Sequence, residues 1–206
     1  MDHTAILAAI APGASMEDTV AAIKPYKFGD STTGLKAVEG LVTGSLGNAD
    51  ARKAVAATLV GVLTSADATR DAKIFACRQL AICGGAENVA ALAPLLTAID
   101  TSNMARIALE RIPGGEADAA LVDALAKADA KSQIGIVNSL GARRCAAAVP
   151  AIAPLAKSKD PLLADAAAAA LGHIGGADAV KVLKRGVARS ARATAANALL
   201  ECKERG

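Results

Sequence analysis

The stretch from Asp160 to Gly176, DPLLADAAAAALGHIGG, reads as one helix with both ends specified. Asp160 is placed to accept hydrogen bonds from the first unpaired backbone N–H groups, and Pro161 suits the first helical position. Leu163, Ala167, Ala170, Leu171 and Ile174 recur at helical spacing along one side. Gly175-Gly176 then offers a residue able to take positive φ and end the helix. The phrase returns in degraded form along most of the chain. With Leu171 as reference the equivalent leucines are Leu80, Leu109, Leu140 and Leu199, at intervals of 29, 31, 31 and 28 residues. A period near 30 with two helical segments per unit specifies an α-solenoid, because each pair can bury its apolar stripe only against the next.

The expected fold is therefore all-α: a right-handed α-α superhelix of about six helix pairs in a single domain. Residues 1–48 form an irregular N-terminal capping repeat in this reading, and residues 49–203 the regular repeats. In the capping part, Thr4 to Ala11 and Ser15 to Ile23 read as helices broken by Pro12-Gly13, and Ser31 or Thr32 caps a helix through Leu46. Tyr26 and Phe28 are expected to fold back over the open end, since an uncovered apolar end invites aggregation. The regular pairs are expected at Asp50–Leu63 with Thr69–Cys83, and at Glu87–Ile99 with Thr101–Ile112. They continue at Glu116–Lys127 with Lys131–Ala142, at Ala146–Lys157 with the reference helix, and at Asp178–Ala188 with Ser190–Lys203. Pro94, Pro150 and Pro154 lie in or near first helices, where proline starts or kinks them.

Composition agrees with many thin helices. Hydrophobic residues make up 53% of the chain but aromatics only 1%, namely Tyr26, Phe28 and Phe75 with no Trp, so alanine carries the apolar count. Small side chains let helices approach closely while each buries little area. The alternating Val, Ile, Thr and aromatic pattern of a sheet is absent. Net charge is +3, too mild to argue for nucleic acid. It is unevenly spread: residues 1–130 carry 11 basic and 15 acidic side chains, and residues 131–206 carry 12 basic and 5 acidic. The C-terminal third is thereby biased toward an acidic partner. Cys77, Cys83, Cys145 and Cys202 form no CxxC pair and read as small buried hydrophobes. No apolar run approaches the roughly 18–20 residues of a membrane span, and the N-terminus lacks the basic start of a signal peptide.

Two phrases carry a family resemblance. Ala191-Arg192-Ala193-Thr194-Ala195-Ala196-Asn197-Ala198-Leu199 and DPLLADAAAAALGHIGG, the latter with Ala164 in place of Arg, follow the pattern of HEAT-like repeats. The match resembles the short bacterial HEAT repeats named after the phycobilisome lyases and covers about Asp50 to Lys203. Phe75-Ala76-Cys77-Arg78-Gln79-Leu80, Met104-Ala105-Arg106-Ile107-Ala108-Leu109 and the Gly141-Ala142-Arg143-Arg144 corner look like phrases in uncharacterised, often exported bacterial HEAT-repeat proteins. The resemblance implies a HEAT-like or armadillo-type solenoid and no particular reaction.

The residues themselves offer little chemistry. Only His3 and His173 are histidines, without the His-Glu pairs that HEAT-repeat hydroxylases use for a di-iron centre. No G-x-S-x-G, P-loop or dinucleotide-binding phrase occurs. His173 sits at a helix end, where a cation compensates the last carbonyls. Arg106 falls in a slot that holds Cys77, Val137, Ala168 and Ala196 in sister repeats, and is expected to form a structural ion pair between repeats, with Glu110 nearest in sequence. The expected function is a non-enzymatic scaffold, monomeric and without cofactor or metal, that binds a protein or peptide along its concave face and contacts neither nucleic acid nor membrane. The partner-facing residues in this reading are Phe75, Arg78, Arg106, Asn138, Arg143, Arg144 and Asn197. The alternative is a lyase-like or accessory component acting on a cofactor-bearing protein.

Overall fold

The computed structural model describes residues 13–97 and 100–205. His3 and the expected helix over Thr4 to Ala11 lie outside the described residues. Among those described there is no strand, and twelve α-helices are joined by short turns and 3₁₀ segments. The chain divides into two compact units, Met1–Pro113 and Gly114–Gly206. The division falls in the Pro113-Gly114-Gly115 stop, where Gly114 takes a φ of 104° that other residues rarely adopt.

The first unit holds α1 (Met16–Ala21), α2 (Thr33–Ser45), α3 (Ala49–Thr64), α4 (Arg70–Cys83), α5 (Val89–Leu92) and α6 (Ser102–Arg111). The caps are local and chemical. The Ser15 hydroxyl accepts from the Asp18 N–H at 3.0 Å, Asn48 accepts from Asp50 and Ala51, and Thr69 accepts from Ala72 at 3.1 Å. Helix α4 packs between α3 and α6 and buries Ala76, Cys77 and Leu80 completely.

The second unit holds α7 (Gly115–Leu125), α8 (Ala130–Ala142), α9 (Val149–Ile152), α10 (Pro161–Ile174), α11 (Gly176–Arg185) and α12 (Arg192–Arg205). Helix α10, the reference stretch, lies between α8 and α12. Asp160 accepts from Leu162 and Leu163 at 2.9 and 3.4 Å, and Gly175 closes the helix at φ 70°. Leu140 and Leu171, one repeat apart, are both fully buried. Burying each such leucine is worth about 1.5–3 kcal/mol, against roughly 0.8 for one methyl-sized group, so leucines anchor the stack and alanines set its spacing. That spacing is tight. A Cβ added to Gly141 would lie 2.9 Å from the Ala170 Cα, and one added to Gly172 would lie 2.5 Å from the Ala198 Cβ. Glycine therefore follows both Leu140 and Leu171 because the next second helix occupies the space.

Two first helices differ from expectation. Residues 86–97 form a 3₁₀ turn, the four-residue α5 and a second 3₁₀ segment; residues 146–157 repeat this arrangement around α9. Pro94 and Pro154 lack the N–H that a continuous α-helix needs and clash with the preceding turn, so each segment tightens there. The expectation for Phe28 is overturned as well. Its ring is 92% exposed, because the loop is held from its backbone side: the Thr69 N–H donates to the Lys24 carbonyl at 2.8 Å, and the Phe28 N–H donates to Asp71 at 2.9 Å. Tyr26 is half-buried, and its carbonyl accepts from the Thr69 hydroxyl.

Candidate functional site

The seven partner-facing residues expected from sequence fall in both units. In the first unit, Phe75 is 6% exposed and packs among the α4 core residues. It therefore does not project as expected, since the helical face that carries Cys77 and Leu80 at one side also draws in the one large ring available to fill it. Arg78 lies on the opposite face of α4 and is exposed. Arg106 is half-buried on α6. Its Nη1 donates to Glu110 at 3.3 Å and its Nη2 to Asn103 at 2.8 Å. This ion pair runs along its own helix, at i,i+4, where the sequence reading placed it between repeats.

In the second unit, Arg143 and Arg144 are neighbours with different surroundings. The Arg143 side chain is 10% exposed; its Nε donates to Asp118 at 2.5 Å and its Nη2 to the Gly114 carbonyl at 2.8 Å. It ties the end of α8 to the start of α7, which assigns it a structural role. Arg144 is exposed and takes a φ of 53° as the only described non-glycine residue in that region. The Arg144 N–H donates to the Gly141 carbonyl at 2.9 Å, and the Cys145 N–H to the Leu140 carbonyl at 3.0 Å. This pair of bonds is the Schellman closure, whose left-handed position glycine usually fills. The equivalent position one repeat later is indeed Gly175. Arg144 also borders a cavity of about 490 Å³ with Ile174, Gly175, Val180 and Cys202.

Asn138 and Asn197 are exposed at equivalent positions of α8 and α12, and Ala169 stands between them on α10. The small side chain there leaves a groove of about 180 Å³ between α10 and α12, lined by Ala169, His173, Thr194, Asn197, Ala198 and Glu201. Thr194 donates its hydroxyl to Asp165 on α10, which fixes the two helices beside each other at one end of the groove. His173 is exposed in the last turn of α10, as its sequence position implied.

Three of the four thiols are poorly suited to chemistry. Burial pushes the Cys77 thiol up to about 12 and that of Cys83 to about 11, and it also raises that of Cys145. All three are buried and free, while Cys202 is half-buried and contacts the Gly172 carbonyl. Among the described residues, no three His, Cys, Asp or Glu side chains gather so as to hold a metal ion, and no helix is long and apolar enough to cross a membrane.

Residues 118–202 match the family model for HEAT repeats. The HEAT match spans α8, α10 and α12, the helices that carry Asn138, Ala169 and Asn197. No curated protein matches the chain. Among solved structures it is similar to an engineered protein from the Northeast Structural Genomics Consortium, with 26% identity, a TM-score of 0.49, and coverage of 93% of this chain and 97% of that one. It is also similar to human deoxyhypusine hydroxylase in complex with glycerol, with 16% identity, a TM-score of 0.45, and coverage of 92% and 97%.

Sequence reasoning missed two features. The Arg143–Asp118 pair joins residues 25 apart, which no local pattern signals. The strained Arg144 was signalled, since aligning the repeats sets it opposite Gly175.

Proposed function

We propose that the chain is a non-enzymatic HEAT-repeat scaffold that binds a protein or peptide segment across the exposed face of its second helices. The observation that carries the reading is the row Asn138, Ala169 and Asn197 within the HEAT match, with a groove beside its middle member. An asparagine amide offers both donors and an acceptor, so two amides flanking a low alanine can pair with a polypeptide backbone while a side chain enters the groove. HEAT repeats generally serve as interaction scaffolds, and affinity along such a surface comes from complementarity spread over several repeats. Arg144, exposed in the second unit, is a further contact in this reading, and Arg78 is an exposed candidate within the first unit by itself.

A photo-crosslinking amino acid placed at Asn138 or Asn197 in the full chain, in its source cells, tests this. The expected result is discrete protein adducts from both positions, none from the exposed Lys181 on α11, and their loss when Ala169→Arg fills the groove. Equal adducts from all three positions, or none from the two asparagines, contradict it.

A further inference from the structure

The three turns that join first to second helices in the second unit share one edge. Helices α8, α10 and α12 lie side by side with equivalent residues in contact, Gly141 at Ala170 and Gly172 at Ala198, so they run parallel and begin at the same side. The Ala188 N–H donates to the Ala156 carbonyl at 2.7 Å, which joins the third turn directly to the second.

This edge is a basic ridge. Lys127 stands on the first turn, Lys157 and Lys159 on the second, and Lys184 and Arg185 at the end of α11 with Arg189 on the third, and all six are exposed. The turns also carry carboxylates, which keep their charge while they accept hydrogen bonds. Asp129 accepts from the Ser132 N–H at 2.8 Å and Asp160 from the first N–H groups of α10, both as helix caps. Asp165 accepts from Thr194, and Asp123 stands a turn back on α7. The opposite edge mixes signs, with Glu116, Asp118, Arg143, Arg144, Asp178 and Glu201. With six cations against Asp129 and Asp160, the three turns carry a net positive charge, which raises the local concentration of the opposite charge and selects partners by complementarity.

We infer that this ridge docks an acidic polypeptide segment whose carboxylates recur at every third residue. Packed helices lie about 8–10 Å apart, so the turns present cations at about that interval. A polyproline II segment advances about 3.1 Å per residue with three residues per turn, which returns every third side chain to one face after about 9 Å. Nucleic acid fits less well: residues 114–206 contain no Phe, Tyr or Trp on which bases would stack. The inference rests on the protein-binding reading above but uses a different surface, so each can fail alone.

The test is fluorescence anisotropy of the full chain with a labelled peptide of four Glu-Pro-Pro repeats. The controls are a peptide of equal composition in the order Glu-Glu-Pro-Pro-Pro-Pro and a single-stranded oligothymidylate of equal length. The expected result is tightest binding to Glu-Pro-Pro, weakened about tenfold by the double substitution Lys157→Glu with Arg189→Glu and less by the neutral Lys157→Gln with Arg189→Gln. Ala169→Arg leaves that affinity unchanged, which separates the ridge from the groove. No binding, equal binding by the charge-reversed chain with unchanged helical circular dichroism, equal affinity for the two peptides, or tighter binding of the oligonucleotide overturns the inference.

Discussion

The close approach of the second helices gives the sharpest energetic prediction. A Cβ on Gly172 would sit 2.5 Å from the Ala198 Cβ and 3.0 Å from its Cα. Carbon atoms rest at about 3.5–4.0 Å, so Gly172→Ala must push α10 and α12 apart by about 1 Å. Such overpacking costs about 1–3 kcal/mol, while replacing a helical glycine by alanine returns about 1 kcal/mol of propensity. Gly61, inside α3, provides the internal reference, because a Cβ there meets nothing within 4 Å. Gly61→Ala is therefore expected to stabilise by about 0.5–1 kcal/mol. The difference between the two variants isolates the contact: about 1–3 kcal/mol, or roughly 3–9 °C between their melting temperatures at about 3 °C per kcal/mol. Thermal unfolding followed by circular dichroism, with urea midpoints as a second reading, measures it. If Gly172→Ala stabilises as much as Gly61→Ala, the helices are not in the tight register on which the packing argument stands.

Further outcomes follow from single residues. Arg143→Ala removes both the Asp118 and Gly114 bonds and is expected to cost about 2–3 kcal/mol, with Arg143→Lys recovering only part because an ammonium cannot make the same forked contacts. Arg144→Gly is expected to stabilise by about 1 kcal/mol by relieving the left-handed backbone, read by urea unfolding. Asp160→Ala should cost about 1 kcal/mol through loss of the α10 cap and Asp160→Asn much less, read the same way. In the native chain a thiol reagent at mildly alkaline pH should modify Cys202 first, with Cys77, Cys83 and Cys145 reacting only on unfolding. For Cys77 the folded value of about 12 lies above the ordinary thiol value of 9, so the unfolded chain loses its proton first. Stability should accordingly fall as pH rises above 9, by up to about 1.4 kcal/mol per unit from this group.

What the sequence made legible was what is local or periodic. Asp160, Pro161 and Gly175 specify their helix through atoms a few residues away, and the leucine interval places Leu140 and Leu171 in one core. The first helices were legible as helical but not as interrupted, since hydrophobic spacing alone does not separate α from 3₁₀ turns around Pro94 and Pro154. Phe28 was misplaced because its exposure follows from bonds to Thr69 and Asp71, more than 40 residues on. Phe75 was misplaced for the reverse reason, a core with few large side chains. The candidate groove was half visible: Asn138 and Asn197 stood out as polar residues, whereas Ala169, whose smallness makes the depression, looked like any other alanine.

Pairs of helices are held by their immediate neighbours at a fixed repeat, so cutting one repeat out should leave a folded protein. Deleting residues 142–172 joins Gly141 to His173 and substitutes one reference leucine-glycine pair for its equivalent. The shortened chain is expected to keep helical circular dichroism in proportion to its length and to unfold cooperatively, because each pair needs only a neighbour to bury its stripe. A chain that loses its helical signal or aggregates on that excision, while an equal deletion out of register does no worse, contradicts a stack held by nearest neighbours.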